Sequence, residues 1–299
     1  MSFFKLKRSA FTLVELLVVI AIVGLLSTIV LISTSGLREQ AEIAKALTWA
    51  ESVDSLLGAD AVGVWNFNEG SGITVGDISG WNNNGTLGNG VCTPGTGFCP
   101  AWTNDTPSGH DYALSFDGVD DRVKIPVSSN QGCVNGLTIE AWIYPTSVSA
   151  ETIIDLGYQY QSYGFEFAVV GGKLRFTASG SGTFVSSDTT TLTVVNNVWQ
   201  HVVVAVDDTG SHYYLNGVSE SKSTPATPLT LGVNSTYFNI GYRNYNEWYF
   251  NGLIDEVHIY NQTLTAAQIE SQYYAGLDRL LTKGLMDEQE YQERLLIRS

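Results

Sequence analysis

The sequence predicts a mainly β protein in three parts: one long N-terminal membrane-spanning α-helix, a β-sandwich of jelly-roll type, and a short C-terminal helical tail. Three observations carry that prediction. Leu16 to Leu37 is a stretch of 22 residues without a charge. After Gly58 the apolar pattern changes from helical to alternating, in many short segments separated by Gly, Asn and Ser. From Leu264 helical spacing returns.

The uncharged stretch comes first in the chain. At about 1.5 Å per helical residue it extends roughly 33 Å, enough to cross a bilayer. Lys5, Lys7 and Arg8 precede it, with no acid among the first ten residues. Positive flanks stay cytoplasmic, which places the bulk of the chain outside. An ordinary signal peptide has a shorter apolar core and a small-residue cut site after it. Here the run passes directly into an amphipathic continuation, Leu37 to Leu57. Its Ile43, Leu47, Ala50, Val53, Leu56 and Leu57 recur at helical spacing. Glu15 is the one acid in the apolar part. A carboxylate costs about 2.5–3.5 kcal/mol at the bilayer centre and less near its edge, so it calls for a partner.

The run KRSA followed by FTLVELLVVIAIVGLL resembles the class III leader and first helix of type IV pilins and type II secretion pseudopilins. The resemblance implies a prepilin peptidase cut between Ala10 and Phe11 and methylation of the new Phe11 amine. The family usually carries Gly before the cut, where this chain has Ala10. Once cut, the amine lies four residues from Glu15, and in a staggered array of parallel helices it can neutralise Glu15 of a neighbour. The implied partners are the prepilin peptidase, other pilin subunits packed through this helix, and the inner membrane before assembly.

The rest of the chain is acidic. The formal charge is −15, which leaves −18 beyond the three leader positives. Such a chain repels phosphate backbones, so no nucleic-acid partner is expected. Cys92 and Cys99 bracket a Thr-Pro-Gly-Thr-Gly-Phe loop of a length that a disulfide can close, and export would permit it. The alternative is that all three cysteines are reduced; Cys133 is left over in either case.

In the body, strands are expected at Val64–Phe67, Tyr112–Phe116, Arg122–Val127, Leu137–Tyr144, Thr152–Leu156 and Gly164–Val170. Further strands are expected at Lys173–Ala178, Trp199–Val206, Ser211–Leu215, Tyr237–Gly241 and Gly252–Tyr260. Leu137, Ile139, Ala141 and Ile143 share one face; Thr138, Glu140, Trp142 and Tyr144 share the other. Asn216-Gly217 between two runs is a hairpin signal.

Several phrases resemble, in order, the laminin-G-like, concanavalin A-type jelly roll. They are VWNFNEGSG, DISGWNNNGTL, ALSFDGVDDRVKIP, LTIEAWIYP, VWQHVVVAVD, YYLNGV and GLIDEVHIYNQTLTAAQIESQY, spanning Val62 to about Gly276. The resemblance implies two packed antiparallel sheets, often a structural calcium, and glycan or protein binding. Its metal ligand would be Asp255 at the start of the last strand, with main-chain carbonyls near Asn68 and Gly118. A lone Asp with carbonyls and waters meets calcium's demand for six to eight oxygens. Asp77, Asp117, Asp120 and Asp121 read as turn formers.

Two loops, Tyr158–Tyr163 (YQYQSY) and Tyr242–Tyr249 (YRNYNEWY), are dense in Tyr, Trp, Asn and Gln. Aromatic faces stack on sugars and amides bond hydroxyls, so Tyr158, Tyr160, Tyr242, Tyr245 and Trp248 are candidate ligand contacts. Equally, they are residues that plug the rim of a sandwich. Enzyme activity is not expected. A retaining glycosidase places two carboxylates about 5–5.5 Å apart, and neither Glu140 nor Glu166 has an acid at i+2 or i+4. His110, His201, His212 and His258 lack metal-ligand spacing.

In the tail, Thr265 with Gln268 forms a capping box and Gly276 is expected to end that helix. Leu277 to Leu296 resembles a SHOCT-type hairpin, with Gly284 as a stop and Asp287 with Glu290 as the second cap. The expected organisation is therefore leader 1–10, helix 11–57 (membrane part 11–37), jelly roll 58–276 and hairpin 277–299. It reads as a type IV pilus or pilus-like fibre subunit displaying an extracellular binding domain. It would be a single-pass cytoplasmic membrane protein before assembly and cell-surface material afterwards. The alternatives are a pseudopilin of a secretion or DNA-uptake system and a membrane-tethered glycan hydrolase.

Overall fold

A computed structural model describes residues 13–14, 16–22, 61–107, 112–126, 136–156, 164–180, 183–223, 237–243, 248–282, 284 and 286–296. The chain divides into two compact units, Met1–Thr48 and Trp49–Ser299. Ala10, Phe11, Glu15, the continuation from Leu37 to Leu57, Cys133, Tyr158, Tyr160 and Tyr245 lie outside the described residues.

In the first unit, residues 13–14 and 16–22 are helical (α1). Leu13, Val14, Leu16, Leu17, Val18, Val19, Ile20 and Ile22 are each half or more exposed, so the apolar surface runs all round. Among the described residues, no helix is long and apolar enough to cross a membrane.

The second unit is a two-sheet sandwich. The first sheet runs β14 (Val218–Lys222), β13 (Ser211–Leu215), β12 (Gln200–Val206), β7 (Leu137–Pro145), β18 (Asn251–Tyr260), β5 (Ala113–Asp117) and β4 (Ala101–Thr103). β1 (Ala61–Trp65) pairs with the Val257–Tyr260 end of β18, beyond β5 on the same edge. The second sheet runs β11 (Thr183–Asp188), β10 (Lys173–Gly180), β9 (Gly164–Val170), β8 (Ala150–Leu156), β15 (Tyr237–Ile240), β6 (Val123–Pro126), β3 (Gly85–Leu87) and β2 (Thr74–Val75). A small ribbon, β16 (Tyr242–Arg243) with β17 (Trp248–Tyr249), sits against β8.

Alternation fixes the core. Leu137, Ile139, Ala141 and Ile143 of β7 meet Phe165, Phe167, Val169, Leu174 and Phe176 from the other sheet, all in one buried cluster with Trp65, Phe67 and Phe116. Each such side chain contributes roughly 1.5–3 kcal/mol on burial. Asn216 and Gly217 both take positive φ, 50° and 77°, as the two-residue turn between β13 and β14 requires. Cys92 and Cys99 are joined by a disulfide with Cα atoms 6.0 Å apart.

The second face of β7 departs from a solvated sheet surface. Thr138, Glu140 and Trp142 are buried there as fully as the core residues. The reason is helix α2 (Ala266–Thr282), which covers this face and stacks Tyr273 on Trp142 at 6.1 Å. Thr265 and Gln268 form the expected capping box: Gln268 N–H donates to Thr265 Oγ1 (3.3 Å) and Thr265 N–H to Gln268 Oε1 (2.8 Å).

Gly276 does not end this helix. It lies in the middle of α2, and a Cβ there would collide with the Trp142 indole. Glycine is present for close approach, not termination. Gly276→Ala should therefore lower stability by about 1–2 kcal/mol, because overpacking of about 1–3 kcal/mol outweighs a helix-propensity gain of up to about 1 kcal/mol. A urea midpoint equal to or above wild type would show that the indole yields freely. After a turn with Gly284 at φ 69°, α3 (Glu288–Leu296) begins with Glu290 N–H donating to Asp287 Oδ1 at 2.7 Å.

Candidate functional site

The outward face of the second sheet is polar from edge to edge. Strand register aligns Thr74, Thr86, Lys124, Asn239, Asp155, Glu166, Thr177 and Ser186 in a single row, one residue per strand. At about 4.8 Å per strand the row is roughly 34 Å long. Every member can hydrogen-bond through its side chain. Thr74 and Ser186 at the ends are exposed, Thr86 and Lys124 are half-buried, and Asn239, Asp155, Glu166 and Thr177 at the centre are buried. The β16–β17 ribbon contributes to that central cover.

Arg243 ties ribbon to sheet. Its Nη1 donates to Glu166 Oε2 at 2.9 Å and to Oε1 at 3.2 Å, while Thr152 Oγ1 donates to Glu166 Oε1 at 3.0 Å. The guanidinium lies 3.7 Å over the Trp248 ring, close enough for cation–π attraction. Burial pushes the Glu166 carboxyl above the ordinary carboxylate range, against the pull of Arg243. Asp155 pairs directly across from Glu166, so Glu166 does have a neighbouring acid, on the next strand. Spacing along one strand could not reveal it. Lys124 and the 44%-exposed Tyr237 also stand on this face, with Nζ 5.4 Å from the ring centre.

The described members of the aromatic loops are largely packed on one another. Tyr242 is buried, stacked on Tyr249 at 4.9 Å with the Arg122 guanidinium 5.2 Å from its ring. Trp248 is half-buried and has one face under Arg243.

Asp255 belongs to a different place, the layer beneath α2. It is 2% exposed, opposite Trp142, and its Oδ1 accepts from Glu256 N–H at 2.8 Å beside a bulge in β18. Burial, with Glu256 adding repulsion, raises its carboxyl well above the usual range. Gly118 is not brought to it. Gly118 follows Asp117, which pairs with Asn251, so the ladder separates it from Asp255 by about four residues, roughly 13 Å. Calcium bonds are only about 2.3–2.6 Å long, so the two cannot share an ion. Asn68 is exposed in the turn after β1.

Beside Asp255, Glu140 lies between two histidines. His201 Nε2 is 2.7 Å from Glu140 Oε1, His258 Nδ1 is 3.8 Å from Oε2, and His258 Nε2 is 3.3 Å from Glu256 Oε2. Neither glutamate singled out from the sequence is therefore isolated.

The turn after β5 collects three acids. One carboxylate oxygen from each of Asp117, Asp120 and Asp121 lies within 4.8 Å of the others. Turn bonding of the expected kind is present: Asp117 Oδ1 accepts from Val119 N–H (2.8 Å) and Asp121 Oδ2 from Asp117 N–H (2.9 Å). Asp77 acts likewise, accepting from Val64, Ser79 and Asn83 N–H.

Known proteins share the fold and the N-terminal motif. Residues 117–270 match the family described as the concanavalin A-like lectin/glucanases superfamily. Residues 5–31 match the prokaryotic N-terminal methylation motif, which implies prepilin peptidase processing and assembly with other pilins. Among curated proteins, adhesion G-protein coupled receptor V1 of Danio rerio is 29% identical over 106 residues, 32% of this chain and 2% of the receptor. The chain thus spans a small fraction of that relative. Domain 4 of AbnA, a GH43 extracellular arabinanase from Geobacillus stearothermophilus solved with arabinotriose, superposes with a TM-score of 0.55 at 22% identity. The match covers 71% of this chain and 97% of that domain. Botulinum neurotoxin type C, whose cell entry depends on two ganglioside molecules, gives 0.55 at 14% identity, covering 74% of this chain and 52% of the toxin chain. The binding domain of Paraclostridial Mosquitocidal Protein 1 gives 0.56 at 16% identity, covering 74% and 53%. At these identities the structures share the fold. By the extent of the family match, the chain belongs to the concanavalin A-like lectin/glucanases superfamily, joined here to a prokaryotic N-terminal methylation motif.

Proposed function

We propose that this protein is a subunit of a type IV pilus or pilus-like fibre that displays its jelly roll as an extracellular binding domain for hydroxyl-rich glycans. The observation that carries the binding part is the accessible end of the polar row, where Thr74, Thr86 and Lys124 stand on adjacent strands beside Tyr237. Hydroxyl and ammonium groups at about 4.8 Å spacing match a chain of sugar hydroxyls, and Tyr237 offers a flat apolar face beside them. Related support comes from the arabinanase domain, solved with arabinotriose, and from the ganglioside-dependent toxin. The fibre part is supported by the methylation motif and by the all-round apolar surface of α1, which a membrane or a helix bundle would cover. In such a bundle the Phe11 amine of one subunit would neutralise Glu15 of its neighbour. We assign no catalysis: Glu166 is held by Arg243 and Thr152 beneath the ribbon and is not offered to a substrate.

The test uses the full-length protein extracted from membranes in detergent. Intact mass should correspond to a chain starting at methylated Phe11, and glycan arrays should show binding to oligosaccharides. Lys124→Ala, on a half-buried and accessible member of the row, should weaken that binding about tenfold, the loss of one charge-assisted hydrogen bond, without moving the melting temperature. A mature chain starting at Met1 would sink the fibre reading. Binding indifferent to Lys124 and Tyr237 would sink the polar row.

A further inference from the structure

We propose that the turn between β5 and β6 is a calcium site in which Asp117, Asp120 and Asp121 supply the charged ligands. The three carboxylates come from five consecutive residues, and one oxygen of each lies within 4.8 Å of the other two. Among the described residues no lysine or arginine forms an ion pair with any of them. Three like charges gathered this closely repel one another unless a cation lies between them.

A second observation points to the ligand. Asp121 is 4% exposed, and its buried Oδ1 has no hydrogen-bond partner among the described residues. Its other oxygen is occupied by Asp117 N–H, which fixes the orientation of the carboxylate. A buried acceptor left unsatisfied costs about 1–3 kcal/mol, more for a charged group, and a metal bond would remove that cost. Asp117 is exposed and Asp120 half-buried, so water can reach the remaining coordination positions.

The spacing admits calcium. Oxygens bound to one calcium at about 2.3–2.6 Å lie no more than about 5 Å apart, whereas magnesium at about 2.0–2.1 Å allows only about 4.2 Å. Separations within 4.8 Å lie inside the calcium limit. The donors are all carboxylate, which disfavours softer metals. This site shares no side chain with Asp255, which lies beneath α2. It also stands independently of the glycan-binding row.

Isothermal titration of calcium into the chelator-stripped full-length protein in detergent tests the proposal. The expected result is one calcium per chain with a Kd below about 1 mM, the range of extracellular calcium modules, and magnesium at least about tenfold weaker. Asp117→Asn and Asp120→Asn should each weaken calcium about tenfold or more, since each removes one charge from the ligand set. An asparagine oxygen can still accept the turn hydrogen bonds, so melting in chelator should match wild type. Asp255→Asn should leave calcium binding unchanged. No calcium uptake by the folded protein, or uptake unaffected in the Asp117→Asn/Asp120→Asn double variant, would overturn the site. Loss of uptake in Asp255→Asn alone would overturn it too.

Discussion

Arg243→Ala is expected to destabilise the jelly roll by about 3–5 kcal/mol, the range for removing one partner of a buried ion pair. Arg243 is 6% exposed and Glu166 1% exposed, with Nη1 2.9 Å from Oε2. Without the guanidinium, Glu166 retains the Thr152 hydroxyl but faces Asp155 across the ladder without its cation. The Trp248 ring also loses the cation stacked on it. The folded-state carboxyl of Glu166 is already raised by burial, and the variant would raise it further. A carboxyl raised on folding contributes stability below its unfolded pKa and loses it as pH rises through its folded pKa. The deficit should therefore shrink toward pH 4.5 and be largest near neutrality. Urea unfolding at the two pH values measures this, and Arg243→Met with Glu166→Gln should recover part of the loss. A loss below about 1 kcal/mol would mean that water screens the pair as it does a surface salt bridge.

The long strands were legible because alternation reports burial directly. Leu137, Ile139, Ala141 and Ile143 read as one face and are one face. The short strands carry no such signal. Val218–Lys222 alternates half-buried and exposed residues with no strong apolar set, and Thr74–Val75 is two residues long. Cover over a sheet was equally hidden, because burial of Glu140 and Trp142 depends on α2 arriving from more than a hundred residues later. That same contact converts Gly276 from a stop signal into a packing residue.

The candidate site was legible in composition and hidden in geometry. Tyr242 and Trp248 were visible as a dense aromatic loop, but their neighbours Arg122 and Arg243 take up ring faces that a sugar would need. The polar row draws one residue from each of eight strands, so its members lie nine or more residues apart in the chain and only strand pairing brings them together. Asp155 and Glu166 are neighbours only through pairing of β8 with β9. Asp255 and Gly118 show the converse: family resemblance brought them together, and the β5–β18 register holds them apart.

Glu140→Ala should also cost about 3–5 kcal/mol, and its pH profile should identify the cause. Glu140 is the buried anion of the layer beneath α2. His201 and His258 face it from β12 and β18, and the Gln272 amide from α2 donates to it while accepting from Tyr260 Oη at 3.0 Å. Glu256, Asp255 and Arg279 complete the charged groups of this layer, with Arg279 Nη1 3.6 Å from Glu256. Burial alone would raise Glu140, yet the hydrogen bond with His201 and the nearby charge of His258 hold it down at about 2. Burial would lower His258, yet Glu140 and Glu256 push it up to about 10. A depressed carboxyl contributes its stability above 4.5 and loses it as pH falls through 2. A raised histidine contributes below 6.5 and loses it as pH rises through 10. Both contributions are complete together only between pH 4.5 and 6.5. Wild type should accordingly lose stability on this account from pH 6.5 up to about 10, because the unfolded histidine gives up its proton there while His258 in the folded state keeps its own beside Glu140. The variant should start lower and fall less steeply across the same interval, since only Glu256 remains to hold that proton. Denaturation midpoints at pH 5.5, 7.5 and 9 decide it. Parallel curves for the two proteins would mean that Glu140 acts by filling space beneath α2 and that its charge does not hold the helix down.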